Sequence, residues 1–218
     1  MDMTYGQLTK PLNTQEMIVE AMRQAIFRGN LKINQPLRQD KIAKQFGVSK
    51  VPVREALVQL KTEGLVHFKT NRGAFVRPLS SSEANEIYLM RIALERLALS
   101  HAIPKLTKRD LARAASVLMM IDAEDDPTKW GELNWAFHAA LYQPAKMPHL
   151  LDMIQILHRN VGRYLVLYLV DMDYQSKSQT EHHAILEACR AQNVTEALNL
   201  LQRHLDDARE NLVKFLAK

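Results

Sequence analysis

Apolar residues recur at helical spacing in the first part of the chain and predict two helices before residue 47. The first is expected to begin at a capping box formed by Asn13 and Glu16. Its apolar stripe consists of Ile18, Met22 and Ile26. A second helix is predicted over residues 39–46, and Gly47, which can adopt a left-handed backbone, is expected to end it.

A third predicted helix follows this turn and has one apolar and one basic side. It begins after Ser49, the expected N-cap, and ends before Gly64. The apolar stripe consists of Val53, Ala56, Leu57 and Leu60. The other side carries Lys50, Arg54 and Lys61. Since a helix N-terminus adds free N–H groups and a partial positive charge, this surface suits DNA phosphates and guanine edges.

Two β-rich segments after the third helix predict a small hairpin. LVHFK at 65–69 and AFVRP at 74–78 flank the turn TNRG. Arg72 and Gly73 lie at its tip, where a slim basic turn can enter a minor groove. Three helices and a hairpin wing make a winged helix-turn-helix, which predicts a DNA-binding unit.

The rest of the chain has helical periodicity almost throughout. The expected organisation is an N-terminal arm (1–13), a winged helix-turn-helix (14–78), a linker (79–82) and an all-α bundle (83–218). Ser82 is expected to cap the first bundle helix. Six helices are predicted near 83–102, 107–123, 127–142, 147–170, 174–192 and 194–216. The fold class is therefore mainly α.

The N-terminal part of the chain is basic, whereas the remainder is slightly acidic. Residues 1–79 contain thirteen Lys/Arg and six Asp/Glu, against sixteen and eighteen in the remaining residues. This asymmetry fits a polyanionic partner, although a solvated basic surface explains it equally well.

The cysteine content and the apolar runs of the sequence indicate the compartment in which the protein is expected. Cys189 is the single cysteine, which excludes an internal disulfide and CxxC metal chemistry and favours a reducing cytoplasm. The sequence predicts neither a membrane span nor a secretory signal, because no long uncharged apolar run appears.

The stretch LRQDKIAKQFGVSKVPVREALVQLKTEGLVHFKTNRGAFV resembles the winged helix of GntR-type regulators. The matching pattern is G-V-S-[RK]-x-P-V-R-E-A-L, then E-G-L, then R-G-x-x-V in the wing. The resemblance implies DNA contacts by Arg38, Lys50 and Arg54, supported by Ser49, Arg72 and Gly73. One departure is Asn34-Gln35-Pro36 where the family usually has Pro-Gly, which leaves the geometry of that loop open.

The helical part resembles the FCD domain of the FadR subfamily. The resemblance rests on Arg91-Ile-Ala-Leu-Glu95, Phe137-His138, SxxEHxxI from Ser178 to Ile185, and His204-Leu205. It implies a domain that binds a small carboxylate effector, often a sugar acid or another organic acid, beside or through a metal ion.

Residue spacing independently favours a histidine cluster. Asn134 and His138 lie one turn apart, while His182 and His204 lie on apolar stripes of two other helices. Three such histidines can converge in a bundle and hold a transition metal, although each alone is more often a packed core histidine. Glu181 is expected to point elsewhere.

Two further expectations concern the other histidines and the metal. His183 is expected to face outward, and His67, His101, His149 and His158 are interpreted as surface or packing residues. Many FCD domains use one Asp and three His, whereas this chain has Asn134 at the Asp position. Because an amide oxygen is neutral, a divalent metal, Zn or Ni by preference, is expected to bind more weakly, to differ, or to be absent.

Two arginines are candidate effector contacts. Arg91 is one turn from Glu95, which is also the spacing of an ordinary helix salt bridge. Arg163 lies in the apolar run HRNVGRYLVLYLV, where a buried arginine needs an acidic partner from protein or ligand.

The leading hypothesis is a homodimeric, cytoplasmic transcriptional repressor, not an enzyme. Two protomers would bind a pseudo-palindromic operator in double-stranded DNA, and an organic acid would modulate the affinity. One alternative is a metal-dependent hydrolase using the three histidines, for which a general base is missing. The other is a DNA-binding protein without an effector.

Overall fold

The computed structural model describes residues 13–27, 29–172 and 175–217. Its internal contacts divide the chain into two compact units, Met1–Pro78 and Leu79–Lys218. The predicted arm, residues 1–13, lies outside the described residues except for Asn13. No described helix combines the length and hydrophobicity needed to cross a membrane.

The first unit contains three helices and three short strands within its described residues. These are α1 (Thr14–Phe27), β1 (Pro36–Leu37), α2 (Gln39–Phe46), α3 (Lys50–Thr62), β2 (Val66–Lys69) and β3 (Gly73–Val76). The strands form an antiparallel sheet in the order β1-β3-β2, with Phe68 opposite Ala74 in the wing. The predicted helix-turn-helix with a hairpin wing is confirmed.

Local signals explain where these helices begin and end. The capping box is present, because Glu16 N–H donates to Asn13 Oδ1 and Asn13 N–H donates to Glu16 Oε2, both at 2.9 Å. Gly47 ends α2 with φ of 65°, a left-handed backbone that glycine adopts at little cost. Ser49 is the N-cap of α3 by position, but its side chain makes no capping hydrogen bond, which corrects the expected capping role.

Strand β1 was not predicted from the sequence. It arises from the unusual Asn34-Gln35-Pro36 loop, in which Asn34 adopts φ of 62° and its N–H donates to Val76 O at 3.0 Å. Asparagine tolerates this left-handed backbone better than most residues. The departure from the family pattern therefore still allows the loop to join the edge of the wing.

The second unit is built from six α-helices and two short 3₁₀ turns in its described residues. The helices are α4 (Ser81–Ala102), α5 (Lys108–Asp122), α6 (Pro127–Tyr142), α7 (Pro148–Met172), α8 (Gln175–Arg190) and α9 (Val194–Leu216). The turns, Ile103–Lys105 and Gln143–Ala145, each contain a proline. The predicted all-α bundle is confirmed.

Helix α4 begins earlier than the sequence pattern suggested. Ser80, not Ser82, is the N-cap, and its hydroxyl accepts a hydrogen bond from Glu83 N–H at 3.1 Å. Residues 81–82 of the predicted linker therefore belong to the helix. Three consecutive serines offer alternative caps, and the register that buries Ala84, Ile87 and Tyr88 selects the first.

The reactivity of the single cysteine tests whether the core of the bundle is accessible to solvent. Cys189 is fully buried, and burial raises the pKa of its thiol to about 12. Since the thiolate is the reactive form, we expect negligible alkylation by iodoacetamide in the native protein and rapid alkylation once denaturant opens the bundle. Stoichiometric labelling of native protein within minutes would contradict this closed arrangement.

Candidate DNA interface and histidine centre

The two sides of α3 separate as the sequence predicted. Val53, Ala56, Leu57 and Leu60 are each 0% exposed and pack in the core of the first unit. Lys50, Arg54 and Lys61 are exposed. Burial of the apolar stripe therefore directs the basic side of this helix toward solvent.

A buried ion pair anchors the C-terminal end of α3. Arg23 of α1 donates to both carboxylate oxygens of Glu63, with Nε–Oε2 of 3.0 Å and Nη2–Oε1 of 2.8 Å. Glu63 is 8% exposed, so this bidentate pair is shielded from water. Sequence reasoning missed it, because a 40-residue separation leaves no local pattern.

The remaining predicted DNA contacts also lie at the surface. Arg38 precedes α2, Ser49 precedes α3, and Arg72 and Gly73 form the wing turn; all four are exposed. Gly73 has φ of 83°, which favours glycine at this point of the turn. Every residue predicted to contact DNA is thus accessible to it.

Lys50 has an ion-pair partner that was not foreseen. Its Nζ lies 2.5 Å from Oδ1 of Asp40 at the start of α2. Both side chains are more than half exposed, so the pair is worth little in stability. It nevertheless places a carboxylate among the cations of this surface.

In the second unit, His138, His182 and His204 converge as predicted. They come from α6, α8 and α9, and one ring nitrogen of each lies within 4.8 Å of the others. Their ring centroids are 4.6–5.5 Å apart. All three side chains are buried. We call these three residues the histidine centre.

Each ring of the histidine centre is held through its Nδ1 atom. The partners are Tyr142 Oη for His138 at 3.1 Å, Gln179 Oε1 for His182 at 2.8 Å, and Glu181 Oε2 for His204 at 2.7 Å. The Gln179 and Glu181 oxygens accept only, and Tyr142 already donates its proton to Glu95. Each Nδ1 therefore donates, which leaves Nε2 as the nitrogen whose lone pair can accept a hydrogen bond or bind a cation.

Burial favours the uncharged form of two of these rings, His138 and His182. Desolvation, followed by the neighbouring histidines, lowers the pKa of His138 well below its usual value. The pKa of His182 is lowered well below normal by desolvation and then by His204. Nε2 of His138 is buried without a hydrogen-bond partner among the described residues, an arrangement that is costly unless a cation or donor binds there.

The chemistry of this donor set fits a transition metal. Imidazole nitrogens suit Zn, Ni, Cu and Fe, and ligating histidines typically donate their other N–H to an oxygen acceptor, as all three do here. Tetrahedral zinc keeps two ligand nitrogens roughly 3.4 Å apart, so small ring movements would complete the fit.

Three histidine-region expectations are corrected by the structure. Glu181 does not point elsewhere but accepts from His204. His158 is neither a surface nor a simple packing residue: it is 4% exposed and its Nε2 lies 3.0 Å from Asn134 Oδ1. Asn134 reaches the centre, but its amide nitrogen, not its oxygen, faces His182 Nε2 at 3.2 Å.

Comparisons with known proteins agree with this two-part architecture. Residues 14–76 match the model of the bacterial regulatory proteins of the gntR family, and residues 86–207 match the FCD domain. A crystal structure of a GntR-family transcriptional regulator from Pseudomonas syringae pv. tomato DC3000 is 35% identical, covers 93% of this chain and 86% of that one, and gives a TM-score of 0.60. The chain belongs to the GntR family.

Other relatives extend the comparison. The transcriptional repressor GlaR of Escherichia coli K12 is 26% identical over 84% of this chain and 89% of its own length. The structure of E. coli McbR/YncC, at 24% identity, covers 92% of this chain and 97% of that chain with a TM-score of 0.78, and shares the fold. Because the matching family model is that of bacterial regulatory proteins and GlaR is a transcriptional repressor, this GntR protein is a DNA-binding regulator and not the hydrolase considered above.

Of the two arginines predicted to contact an effector, the structure of this GntR regulator describes the side chain of only one. Arg91 is 2% exposed; its Nε donates to Glu95 Oε1 at 2.7 Å, and its guanidinium lies 4.9 Å from the Tyr88 ring centroid. This ion pair is the local partner that the sequence left open. Arg163 lies on α7, but its side chain is outside the described residues.

A hydrogen-bonded chain joins Arg91 to the histidine centre. Glu95 binds Arg91 through Oε1 and accepts from Tyr142 Oη at 2.8 Å through Oε2, and Tyr142 contacts His138. Burial, followed by Glu95, raises the pKa of Tyr142 well above its usual value, which keeps the phenol protonated as a donor. The sequence missed Tyr142, Gln179 and His158, although Tyr142 at i+4 from His138 was a usable signal.

Proposed function

We propose that this GntR regulator is a homodimeric, cytoplasmic repressor of the FadR subfamily, controlled by a small carboxylate effector and a divalent metal in the helical unit. The observation that carries the proposal is the convergence of three buried imidazoles whose Nδ1 atoms are all hydrogen-bonded. His138, His182 and His204 would hold Zn or Ni, which would supply positive charge for an anionic ligand.

Polar atoms near α4 and α7 support effector binding in the same unit. Within the described part of this unit, Tyr88 Oη and Asn160 Oδ1 are also buried without a hydrogen-bond partner. The ion pair with Glu95 uses one of five guanidinium N–H groups of Arg91, so that cation retains donors for a carboxylate. An organic acid with additional hydroxyl groups matches these donors and acceptors.

The start of the helical unit is bonded to a helix that carries part of this polar region. Leu79 N–H donates to Tyr164 Oη at 2.7 Å, and α7 carries both Tyr164 and His158. An effector that shifts α7 can therefore act on the segment next to the DNA-binding unit. By linkage, an effector that favours one arrangement changes DNA affinity by the same factor as DNA changes effector affinity.

A thermal-shift screen of organic acids against the zinc-loaded and metal-free protein tests the effector. We expect stabilisation by at least one acid, larger with metal, and weaker operator binding at the same acid concentration. Stabilisation without any effect on operator binding would contradict control by that acid. A protein that binds its operator but responds to no organic acid would favour the effector-independent alternative.

The ion pair between Asp40 and Lys50 leads to a prediction on DNA affinity. Asp40→Ala removes a carboxylate from the DNA surface and releases Lys50, so we expect binding to strengthen by about two- to fivefold. The gain should be larger at about 50 mM than at 200 mM salt, as fluorescence anisotropy can measure. Asp125→Ala, an exposed acid of the helical unit, serves as the control. Weaker binding by the Asp40 variant would show that its carboxylate itself contacts DNA.

A further inference from the structure

The orientation of the Asn134 amide can be derived from a chain of donors and acceptors around it. Gln179 Nε2 donates to Asp122 Oδ1 at 2.8 Å, which turns Gln179 Oε1 toward His182 Nδ1, also at 2.8 Å. Because Oε1 can only accept, His182 carries its proton on Nδ1. Nε2 of the neutral His182 is therefore an acceptor.

The acceptor at His182 Nε2 in turn fixes the hydrogen-bond roles of Asn134 and His158. The Asn134 atom 3.2 Å from His182 Nε2 must donate, so it is the amide nitrogen. The amide oxygen then faces His158 Nε2 at 3.0 Å and accepts its proton. His158 is buried and packs against the Trp135 ring at 5.5 Å between centroids, so it has a fixed position from which to donate.

We propose that His158 is a positioning residue that holds Asn134 as a hydrogen-bond donor, so that Asn134 is not a metal ligand in this protein. Among the residues that the structure describes, the three of the histidine centre would then be the only ones whose side chains bind the metal. A bound metal would take the lone pair of His182 Nε2 that now accepts from Asn134, and Asn134 would then donate its N–H to an oxygen of whatever completes the coordination. This inference rests on the proposed metal function and reverses the ligand role that the family resemblance implies.

The energetic reason is the loss of a buried hydrogen bond. Turning the Asn134 oxygen toward the metal would place its NH₂ group against the His158 N–H, donor against donor, so the amide could turn only if the His158 proton moved from Nε2 to Nδ1. Leaving a buried donor without an acceptor is unfavourable, and a neutral amide oxygen is a weak ligand that compensates poorly. The amide is therefore expected to keep the orientation that His158 imposes.

This arrangement also makes the site selective for anionic oxygen ligands. Imidazole ligands carry no negative charge, so the three rings themselves would not neutralise a divalent metal, and Asn134 adds an N–H donor beside it. A carboxylate oxygen of the effector meets both requirements, since it is anionic and accepts hydrogen bonds. Metal and carboxylate effector should therefore bind more tightly together than either does alone.

Zinc affinities of four full-length variants test the proposal. By competition with a chromophoric chelator, we expect Asn134→Ala to change the zinc Kd by less than about threefold and His158→Phe, which frees the amide to rotate, to tighten it by about fivefold. The double variant should lose that gain. Asn134→Asp, which offers a charged oxygen at the same position, should tighten binding by at least about tenfold.

Two zinc-affinity results would contradict the proposal. A tenfold or greater loss of zinc affinity in Asn134→Ala would establish Asn134 as a ligand and overturn the proposal. No gain in His158→Phe would show that His158 does not restrain the amide. Circular dichroism of each variant excludes unfolding as the cause of a change.

A second measurement does not depend on metal. In the metal-free protein, ¹⁵N chemical shifts of the imidazoles should report the Nε2–H tautomer for His158 and the Nδ1–H tautomer for His182. Either tautomer reversed would remove the basis for the Asn134 orientation. If the wild-type protein binds no zinc, the proposed metal function fails, while the tautomers still decide whether His158 positions Asn134.

Discussion

Arg54→Ala should abolish specific operator binding while leaving the fold intact. Arg54 is exposed on α3, whereas the buried stripe that holds this helix lies on its other side. Loss of a bidentate contact with guanine costs about 1–3 kcal/mol, or roughly 5- to 150-fold in affinity. The proposed homodimer loses this contact at both half-sites, about 2–6 kcal/mol in total, while binding without specificity is retained through other cations. The operator should therefore become nearly indistinguishable from unrelated DNA.

The experiment compares the variant with wild type by fluorescence anisotropy on an operator selected from random DNA and on scrambled DNA. Arg109→Ala, an exposed arginine of α5 in the helical unit, is the matched control and should bind as wild type. Melting temperatures should agree within a few degrees, because a surface substitution rarely changes stability by more than ~0.5 kcal/mol. Retained preference for the operator would refute the assignment of α3 as the recognition helix.

The second large effect is expected in the histidine centre. Replacing His138, His182 and His204 together with alanine should eliminate bound metal, because the three ring nitrogens that would bind it lie within 4.8 Å of one another. Wild-type protein should contain about one equivalent of zinc or nickel per chain, and its melting temperature should fall on treatment with a chelator. The triple variant should contain none and be insensitive to the chelator.

Elemental analysis of protein exchanged into metal-free buffer measures this directly. His183→Ala removes an exposed histidine next to His182 and should leave the metal content unchanged. Equal metal content in the triple variant and wild type would refute the site. Retained helicity by circular dichroism must accompany the loss of metal, since an unfolded bundle would lose metal for another reason.

The burial of α3 was predictable because it depends on local spacing. Val53, Leu57 and Leu60 lie on one face of any helix that contains them, so the opposite side is exposed regardless of what the core packs against. The ends of α1 and α2 follow equally local rules, the capping box and the left-handed Gly47. Strand β1 escaped prediction because two residues carry no periodicity and pair with a partner about 38 positions away.

In the histidine centre, residue spacing predicts which way the histidines point but not all of their hydrogen-bond partners. The inward direction of His138, His182 and His204 follows from the stripe each occupies, and the structure brings them together. Two of the Nδ1 partners, Tyr142 and Gln179, lie on the same helix as the histidine they bind, whereas the other contacts join different helices. Glu181 contacts His204 of α9, and His158 of α7 binds Asn134 of α6, relations that one helix alone does not encode.

The sequence by itself therefore determined which side of α3 is exposed, where most helices begin and end, and that His138, His182 and His204 face the core, because these depend on residues within one or two turns. Only the tertiary structure decided which ring nitrogen of each histidine can accept a hydrogen bond or bind a cation. It also decided which end of the Asn134 amide faces the histidine centre. Those choices depend on donors and acceptors from five different helices meeting at distances near 3 Å. A hydrogen bond between helices has no signature in local spacing, so the chemistry of the centre appears only when the bundle is assembled.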